Sequence, residues 1–272
     1  MTDDDAPLPA RDDDVWTRLK KLTVARIGLA RSGAALATKP LLDFRLAHAR
    51  ARDAVYETLD EPRLVTDLKK FGLPVVSVSS AAPDRKSYLM QPDLGRTLGR
   101  MPTTYTDAIL GPYQEKHYDV AFVIADGLSA GAVQTHAQPL LAEILPALRT
   151  EHLLIGPLVV AQQGRVAIGD AIASALHADV VVVLIGERPG LSAPDSMGIY
   201  LTWQSGMPRT DADRNCISNV RPEGLGYADA AFRLLHTLRA VRARRISGVQ
   251  LKDDSDRLLV AAGLSKTMND MV

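Results

Sequence analysis

Residues 180–190 read VVVVLIGERPG, and this stretch decides the class of fold that we predict. Its first six residues are apolar and mostly β-branched, which is typical of a strand covered on both faces, as in a parallel sheet. A sharp turn with Glu187 and Arg188 follows. Ligands of open α/β sheets bind at the carboxyl ends of the strands, so the sequence predicts a binding site at this turn. A solvated turn with an ordinary Glu–Arg pair is the alternative.

The composition excludes several classes of protein. The chain has 272 residues, with 32 basic and 32 acidic side chains and no net formal charge. This balance argues against a nucleic-acid-binding protein, which needs a basic excess to neutralise phosphates. The single cysteine excludes an internal disulfide and fits a reducing compartment. No apolar run approaches the ~20 residues of a membrane helix, and the acidic amino terminus does not resemble a signal peptide. We therefore expect a soluble cytoplasmic protein.

Strand and helix patterns alternate along most of the chain. We expect strands at residues 75–79, 119–125, 153–160, 180–185 and 199–203, and helices at residues 40–59, from about 129 with a break at Pro139, from Asp170 as the N-cap through 176, and at 227–244. The alternation predicts an α/β fold, a Rossmann-like doubly wound parallel sheet with helices on both faces, preceded by a mainly helical N-terminal region.

The same patterns suggest the domain boundaries. We expect a disordered acidic tail at residues 1–16, the mainly helical region at 17–100, the Rossmann-like domain at 101–250 and a C-terminal tail at 251–272.

One enzyme signature is present. Residues 127–131 read GLSAG, which fits the nucleophile elbow of a serine hydrolase between a strand and a helix. Asp195 and His236 follow in the order that this class of hydrolase requires. However, the sequence has no glycine-rich oxyanion segment upstream, and a tight turn with Ser129 as a helix N-cap gives the same pattern. A serine esterase that uses Ser129 therefore remains an alternative function, as does a non-catalytic binding module.

Other chemistry-bearing motifs are weak. The six histidines are scattered without a second ligand at a metal-site spacing, and no phosphate loop or dinucleotide fingerprint occurs. Cys216 has no base next to it in sequence, so we interpret it as a packing residue or a ligand contact. The chain thus combines a ligand-binding architecture with no catalytic residues and no metal site of its own, which indicates a subunit.

Several ordered blocks of sequence resemble the small (light) subunit of ethanolamine ammonia-lyase. These blocks are LTVARIG at 22–28, LLDF at 41–44, AHA at 47–49, RDAV at 52–55, YL at 88–89, QPDLGR at 91–96, DGLS at 126–129, GERPG at 186–190 and NCISN at 215–219. Together they span roughly residues 20 to 240.

The resemblance implies a function and a partner. Members of this family form a hetero-oligomer with a large (heavy) subunit, and the enzyme converts ethanolamine to acetaldehyde and ammonia by a radical mechanism that depends on adenosylcobalamin (coenzyme B12). The large subunit is expected to hold the substrate, and the corrinoid lies between the two subunits. The resemblance maps the cobalamin contacts of the small subunit to Val166, Glu187 and Cys216.

Two further expectations depend on the resemblance. The chain has no Asp-x-His-x-x-Gly pattern, which agrees with a cofactor that retains its own benzimidazole ligand. Some family members carry an amphipathic N-terminal extension that directs them into a bacterial microcompartment. The short acidic start of this chain departs from that extension, so the expected location is the cytoplasm, with microcompartment targeting left open.

Overall fold

The computed structural model describes residues 13–99, 110–204 and 209–252. The chain divides into two compact units, residues 1–50 and 51–272. The first unit contains helix α1 (Asp13–Lys20) and an antiparallel pair of short strands, β1 (Arg31–Ser32) and β2 (Ala35–Leu36). Helix α2 (Thr38–Tyr56) crosses the boundary between the units and confirms the helix expected at 40–59. Most of the expected acidic tail and C-terminal tail lie outside the described residues, and the boundaries of the four expected segments remain predictions.

The second unit contains one six-stranded sheet and its helices. Within the described residues its elements are, in chain order, α3 (Glu61–Lys69), β3 (Val75–Ser79), α4 (Arg85–Met90), β4 (Tyr118–Ala125), α5 (Ala130–Thr150), β5 (Ile155–Gln162), α6 (Ile168–Ala175), β6 (Ala178–Gly186), β7 (Met197–Trp203), β8 (Arg214–Val220) and α7 (Tyr227–Arg244). Four short 3-10 turns accompany them at Pro92–Arg96, Gly111–Tyr113, Asp211–Asp213 and Gly248–Gln250.

The sheet order is β3-β5-β4-β6-β7-β8, with the first four strands parallel and the last two added antiparallel. The predicted fold class is confirmed, with the difference that β7 runs against the other strands; β8 pairs antiparallel with β7 and therefore has the same direction as the first four. A parallel crossover needs about a dozen residues and usually a helix. The connection from β6 to β7 has no helix, so the chain returns antiparallel. Strand β8 was not predicted.

Both faces of the central strands are buried, as residues 180–185 suggested. Val120, Phe122 and Ile124 pack with α5 and α7 on one face, and their neighbours Val123 and Ala125 pack with α6 on the other. All five are fully buried. This alternation is the period of two expected for a strand between two layers of helix.

Two local predictions were wrong. Helix α5 is not broken at Pro139, because it continues through Pro139 and Pro146. Its buried leucine and isoleucine side chains pack on the sheet, and this packing outweighs the hydrogen bonds lost at the prolines. Asp170 is not an N-cap either, since α6 begins at Ile168. The Asp170 carboxylate instead accepts two hydrogen bonds from the Arg214 guanidinium, at 2.8 and 2.7 Å.

The order of the strands creates a crevice at the carboxyl end of β4. After β4 the chain crosses through α5 to β5 on one side, and then through α6 to β6 on the other side. Because α5 and α6 lie on opposite faces, they diverge at this point, which is the topological switch point where open α/β sheets bind ligands. In the described part of the chain, no helix is long and apolar enough to cross a membrane.

Gly127, directly beyond β4, has no room for a side chain. Its φ is +58°, and a Cβ there would lie 2.2 Å from the Gly186 carbonyl oxygen. We predict that Gly127→Ala lowers the free energy of unfolding by about 2–5 kcal/mol, through left-handed strain and overpacking together. Gly72→Ala is the matched control, because Gly72 has φ +71° but nothing within 4 Å of its Cβ position. It should lose only about 1 kcal/mol. If urea titrations gave equal losses in the free energy of unfolding for the two variants, the steric argument would be contradicted.

Candidate functional site

A cavity of about 460 Å³ opens at the carboxyl ends of the central strands. The turns after β4, β5 and β6 each contribute neighbouring residues, and β7 contributes a tyrosine. The lining residues are Tyr88, Gly127, Leu128, Arg165, Val166, Ile185, Gly186, Glu187, Arg188 and Tyr200. The cavity therefore lies at the switch point, where the sequence predicted a binding site.

A buried carboxylate joins two of these turns. Asp126 is 2% exposed, and its carboxylate accepts hydrogen bonds from the backbone N–H groups of Gln163 and Gly164 at 3.0 and 2.9 Å. Burial raises the pKa of Asp126, and these backbone hydrogen bonds oppose the rise. The Arg85 guanidinium lies 3.7 Å from the same carboxylate and donates to the Gly127 carbonyl at 2.7 Å. Asp126 thus fixes the end of β4 against the end of β5.

Tyr88 forms a buried platform behind the cavity. Its side chain is fully buried, and its hydroxyl donates to the Gly164 carbonyl at 3.3 Å. The guanidinium carbons of Arg85 and Arg165 lie 4.8 and 4.4 Å from its ring centroid, within the range of cation–π attraction. Burial raises the pKa of Tyr88 to about 12, so the phenol stays protonated at neutral pH.

Glu187 is half-buried and links the turn after β6 to the end of β8. Its Oε2 accepts a hydrogen bond from the Asn219 backbone N–H at 3.1 Å, and its own N–H donates to the Ser196 carbonyl at 3.0 Å. Two bonds in opposite directions hold this residue at the mouth of the cavity. The structure therefore places Glu187 where the sequence predicted a polar ligand contact, beyond the buried strand.

Val166 and Cys216 differ in how they meet the cavity. Val166 lines it, and it follows Arg165 in the turn between β5 and α6. Cys216 does not line it, but it lies directly opposite Tyr200 in the pairing of β7 with β8. The Cys216 thiol is exposed, with its Sγ 3.2 Å from the Ser218 Oγ. The structure thus brings Val166 and Glu187 to one cavity and places Cys216 one strand beyond it.

Tyr200 connects Cys216 to the cavity. Burial is the main cause that raises the pKa of Tyr200, and the neighbouring Cys216 side chain adds to the rise. Tyr200 is therefore a neutral hydrogen-bonding group at physiological pH.

The residues of the hydrolase alternative do not form a catalytic triad. Ser129 is the N-cap of α5 and is 1% exposed. Its hydroxyl donates to the Pro194 carbonyl at 3.2 Å and accepts from the Ala132 N–H at 3.4 Å. Asp195 forms an ion pair with Arg221 at 2.6 Å. The GLSAG pattern is therefore a strand end, a tight turn and a helix cap.

Three of the residues that form the site were missed by sequence reasoning. Tyr88, Arg165 and Tyr200 reach the cavity from α4, from the turn after β5 and from β7. The sequence held weak indications for two of them. Arg165 directly precedes the predicted contact Val166, and Tyr88 belongs to one of the blocks that carry the family resemblance.

Comparison with known proteins identifies the family. A family model described as ethanolamine ammonia-lyase light chain matches residues 13–252. The ethanolamine ammonia-lyase small subunit of Ralstonia nicotianae is 46% identical over 267 residues, which is 97% of each chain. The protein of the same name from Azotobacter vinelandii is 49% identical over 247 residues, or 90% of each chain. That from Pseudomonas aeruginosa is 46% identical over 253 residues, covering 93% of this chain and 92% of the relative. This chain therefore belongs to the ethanolamine ammonia-lyase light-chain family.

Proposed function

We propose that this chain is the small subunit of an adenosylcobalamin-dependent ethanolamine ammonia-lyase, which converts ethanolamine to acetaldehyde and ammonia together with a large subunit. The observation that carries the proposal is the match to relatives of that name over at least 90% of both chains. We assign the protein to the cytoplasm, with targeting to a bacterial microcompartment left open.

The cavity fits one side of a corrinoid. Leu128, Val166 and Ile185 supply apolar wall for the edge of a corrin ring. Corrin side chains end in amides, which need both hydrogen-bond donors and acceptors, and the carboxylate of Glu187 supplies an acceptor. Bound adenosylcobalamin would supply the organic radical that starts the reaction.

Each predicted contact residue then has a defined task. Val166 packs against the ring edge. Glu187, held by Asn219, accepts from an amide with its remaining lone pairs. Cys216, on an edge strand and exposed in this chain, meets the ligand by its shape, with no chemical role for the thiol.

The substrate is assigned to the large subunit. Among the described residues that line the cavity, both tyrosines have raised pKa values, and the remaining polar side chains are one carboxylate and two guanidinium groups. This set can orient a ligand, but it offers no nucleophile beside a base.

The subunit assignment predicts that activity requires assembly. The isolated chain with adenosylcobalamin and ethanolamine should release no ammonia, whereas the complex co-expressed with a large subunit should release it. Ammonia is measured by a coupled assay with and without the cofactor. Cofactor-dependent ammonia release by the isolated chain would overturn the assignment.

Glu187→Ala should weaken adenosylcobalamin binding in the complex by roughly five- to 150-fold, the cost of removing one partner of a buried polar group. Glu187→Gln keeps an oxygen that can accept from Asn219, so it separates the charge from the structural bond. Glu143→Ala, at an exposed carboxylate on α5, is the control and should bind normally. Unchanged binding in Glu187→Ala together with a much lower melting temperature would mean that Glu187 is structural.

Cys216→Phe should block cofactor binding without unfolding the chain, because the side chain is exposed in the isolated chain and the added ring would occupy the space that the proposed contact gives to the corrin edge. Cys216→Ser should keep most of the activity. Melting curves of the isolated variants and spectroscopic titration of the complexes with cofactor test both expectations. Lost turnover in Cys216→Ser with normal cofactor binding would show a chemical role for the thiol.

A further inference from the structure

The ionised groups around the cavity carry an excess positive charge. Arg165, Arg188 and Glu187 are its arginine and carboxylate residues. Tyr88 and Tyr200 stay neutral because burial raises the pKa of both phenols. Two guanidinium groups and one carboxylate leave a net charge of about +1 at a site partly screened from water, which favours a ligand with an anionic group.

Arg165 is held in place without a carboxylate partner. Its backbone N–H donates to the Gly95 carbonyl at 2.7 Å, and its side-chain Nη2 donates to the Tyr88 carbonyl at 3.3 Å. Its guanidinium also lies over the Tyr88 ring at 4.4 Å. In the described ranges no carboxylate forms an ion pair with Arg165, and its Nε has no hydrogen-bond partner. The positive charge is thus oriented but not neutralised.

Arg188 provides the second charge from the turn after β6. Its side chain is exposed, and it forms no ion pair among the residues that the structure describes. The neighbouring carboxylate of Glu187 is bonded to the Asn219 N–H instead. Arg188 is therefore available to a ligand that enters the cavity.

Two backbone N–H groups near the cavity are not available to bind an anion. The Leu128 N–H donates to the Gly186 carbonyl at 2.9 Å, and the Ile168 N–H donates to the Arg165 carbonyl at 3.0 Å. The backbone N–H groups of Leu128 and Ile168 are therefore already hydrogen-bonded within the chain. An anion in this cavity would be held by the guanidinium side chains.

We propose that Arg165 and Arg188 bind the phosphodiester of the nucleotide loop of the cofactor. This inference rests on the proposed function. The phosphodiester is the one anionic group of cobalamin, since its other side chains end in neutral amides. Guanidinium groups match the geometry of phosphate oxygens and bind them through charge-assisted hydrogen bonds. Glu187, at the other side of the turn, then faces the amides rather than the phosphate.

The test compares two corrinoids in the complex with the large subunit. Cyanocobalamin carries the nucleotide loop, and cobinamide has the corrin ring and its amides but no phosphodiester. We expect Arg188→Gln and Arg165→Gln each to weaken cyanocobalamin binding roughly 10- to 150-fold, the range for hydrogen bonds to charged groups. Cobinamide binding should change by no more than about two-fold. Dissociation constants come from absorbance titrations or equilibrium dialysis.

Two controls keep the outcomes separate. Arg244→Gln removes an exposed arginine from the last turn of α7 and should change neither titration. Arg188 is exposed, so its variant should fold even if Arg165→Gln disturbs the Tyr88 platform. Equal losses for both corrinoids, or unchanged cyanocobalamin binding in Arg188→Gln, would overturn the phosphate assignment. Failure of the wild-type complex to bind either corrinoid would instead contradict the proposed function.

Discussion

The close approach of two backbone turns, Gly127 against Gly186, is the constraint on which the site depends. A Cβ on Gly186 would lie 2.0 Å from the Ser129 carbonyl oxygen, and one on Gly127 would lie 2.2 Å from the Gly186 carbonyl oxygen. The Leu128 N–H closes the contact with a hydrogen bond to Gly186. Because no side chain separates the turns, the ends of β4 and β6 form one continuous wall. The lining residues extend from that wall.

The position of this wall also accounts for the charged side chains that lie behind it. Asp126 occupies the first position after β4 and must be buried there, so it draws hydrogen bonds from the turn after β5 and the charge of Arg85. Arg85 and Arg165 both lie over Tyr88. Only one of these two arginines faces a carboxylate, since Arg85 is 3.7 Å from Asp126. The uncompensated charge of Arg165 therefore faces the cavity as a consequence of how the turns are held.

Sequence reasoning predicted the elements whose signals are local. The strand at 180–185 was identified from a continuous apolar run, and the helix Tyr227–Arg244 from its helical period, because each signal is visible within one segment. Strand β8 was not, because it reads RNCISNV and its buried positions include Arg214. A buried arginine is intelligible only with its partner Asp170, 44 residues earlier. The same limit applies to the site: Glu187 follows a recognisable strand, whereas Tyr88 and Tyr200 reach the cavity through tertiary contacts that no short pattern encodes.

In the complex that we propose, the cavity of this chain would form one wall of a site that the large subunit completes. Its charged groups, Glu187, Arg165 and Arg188, are partly open to water, which weakens each interaction with a ligand. In the proposed complex, the large subunit would cover the corrinoid and remove that water, so every hydrogen bond in the cavity would gain strength. A ligand held at such a boundary stabilises the assembled state more than the separate chains, and by reciprocity assembly raises the affinity for the ligand by the same factor. The exposed Cys216 and Arg188 are therefore consistent with a half-site, whose contacts reach their full strength only when the opposite wall is present.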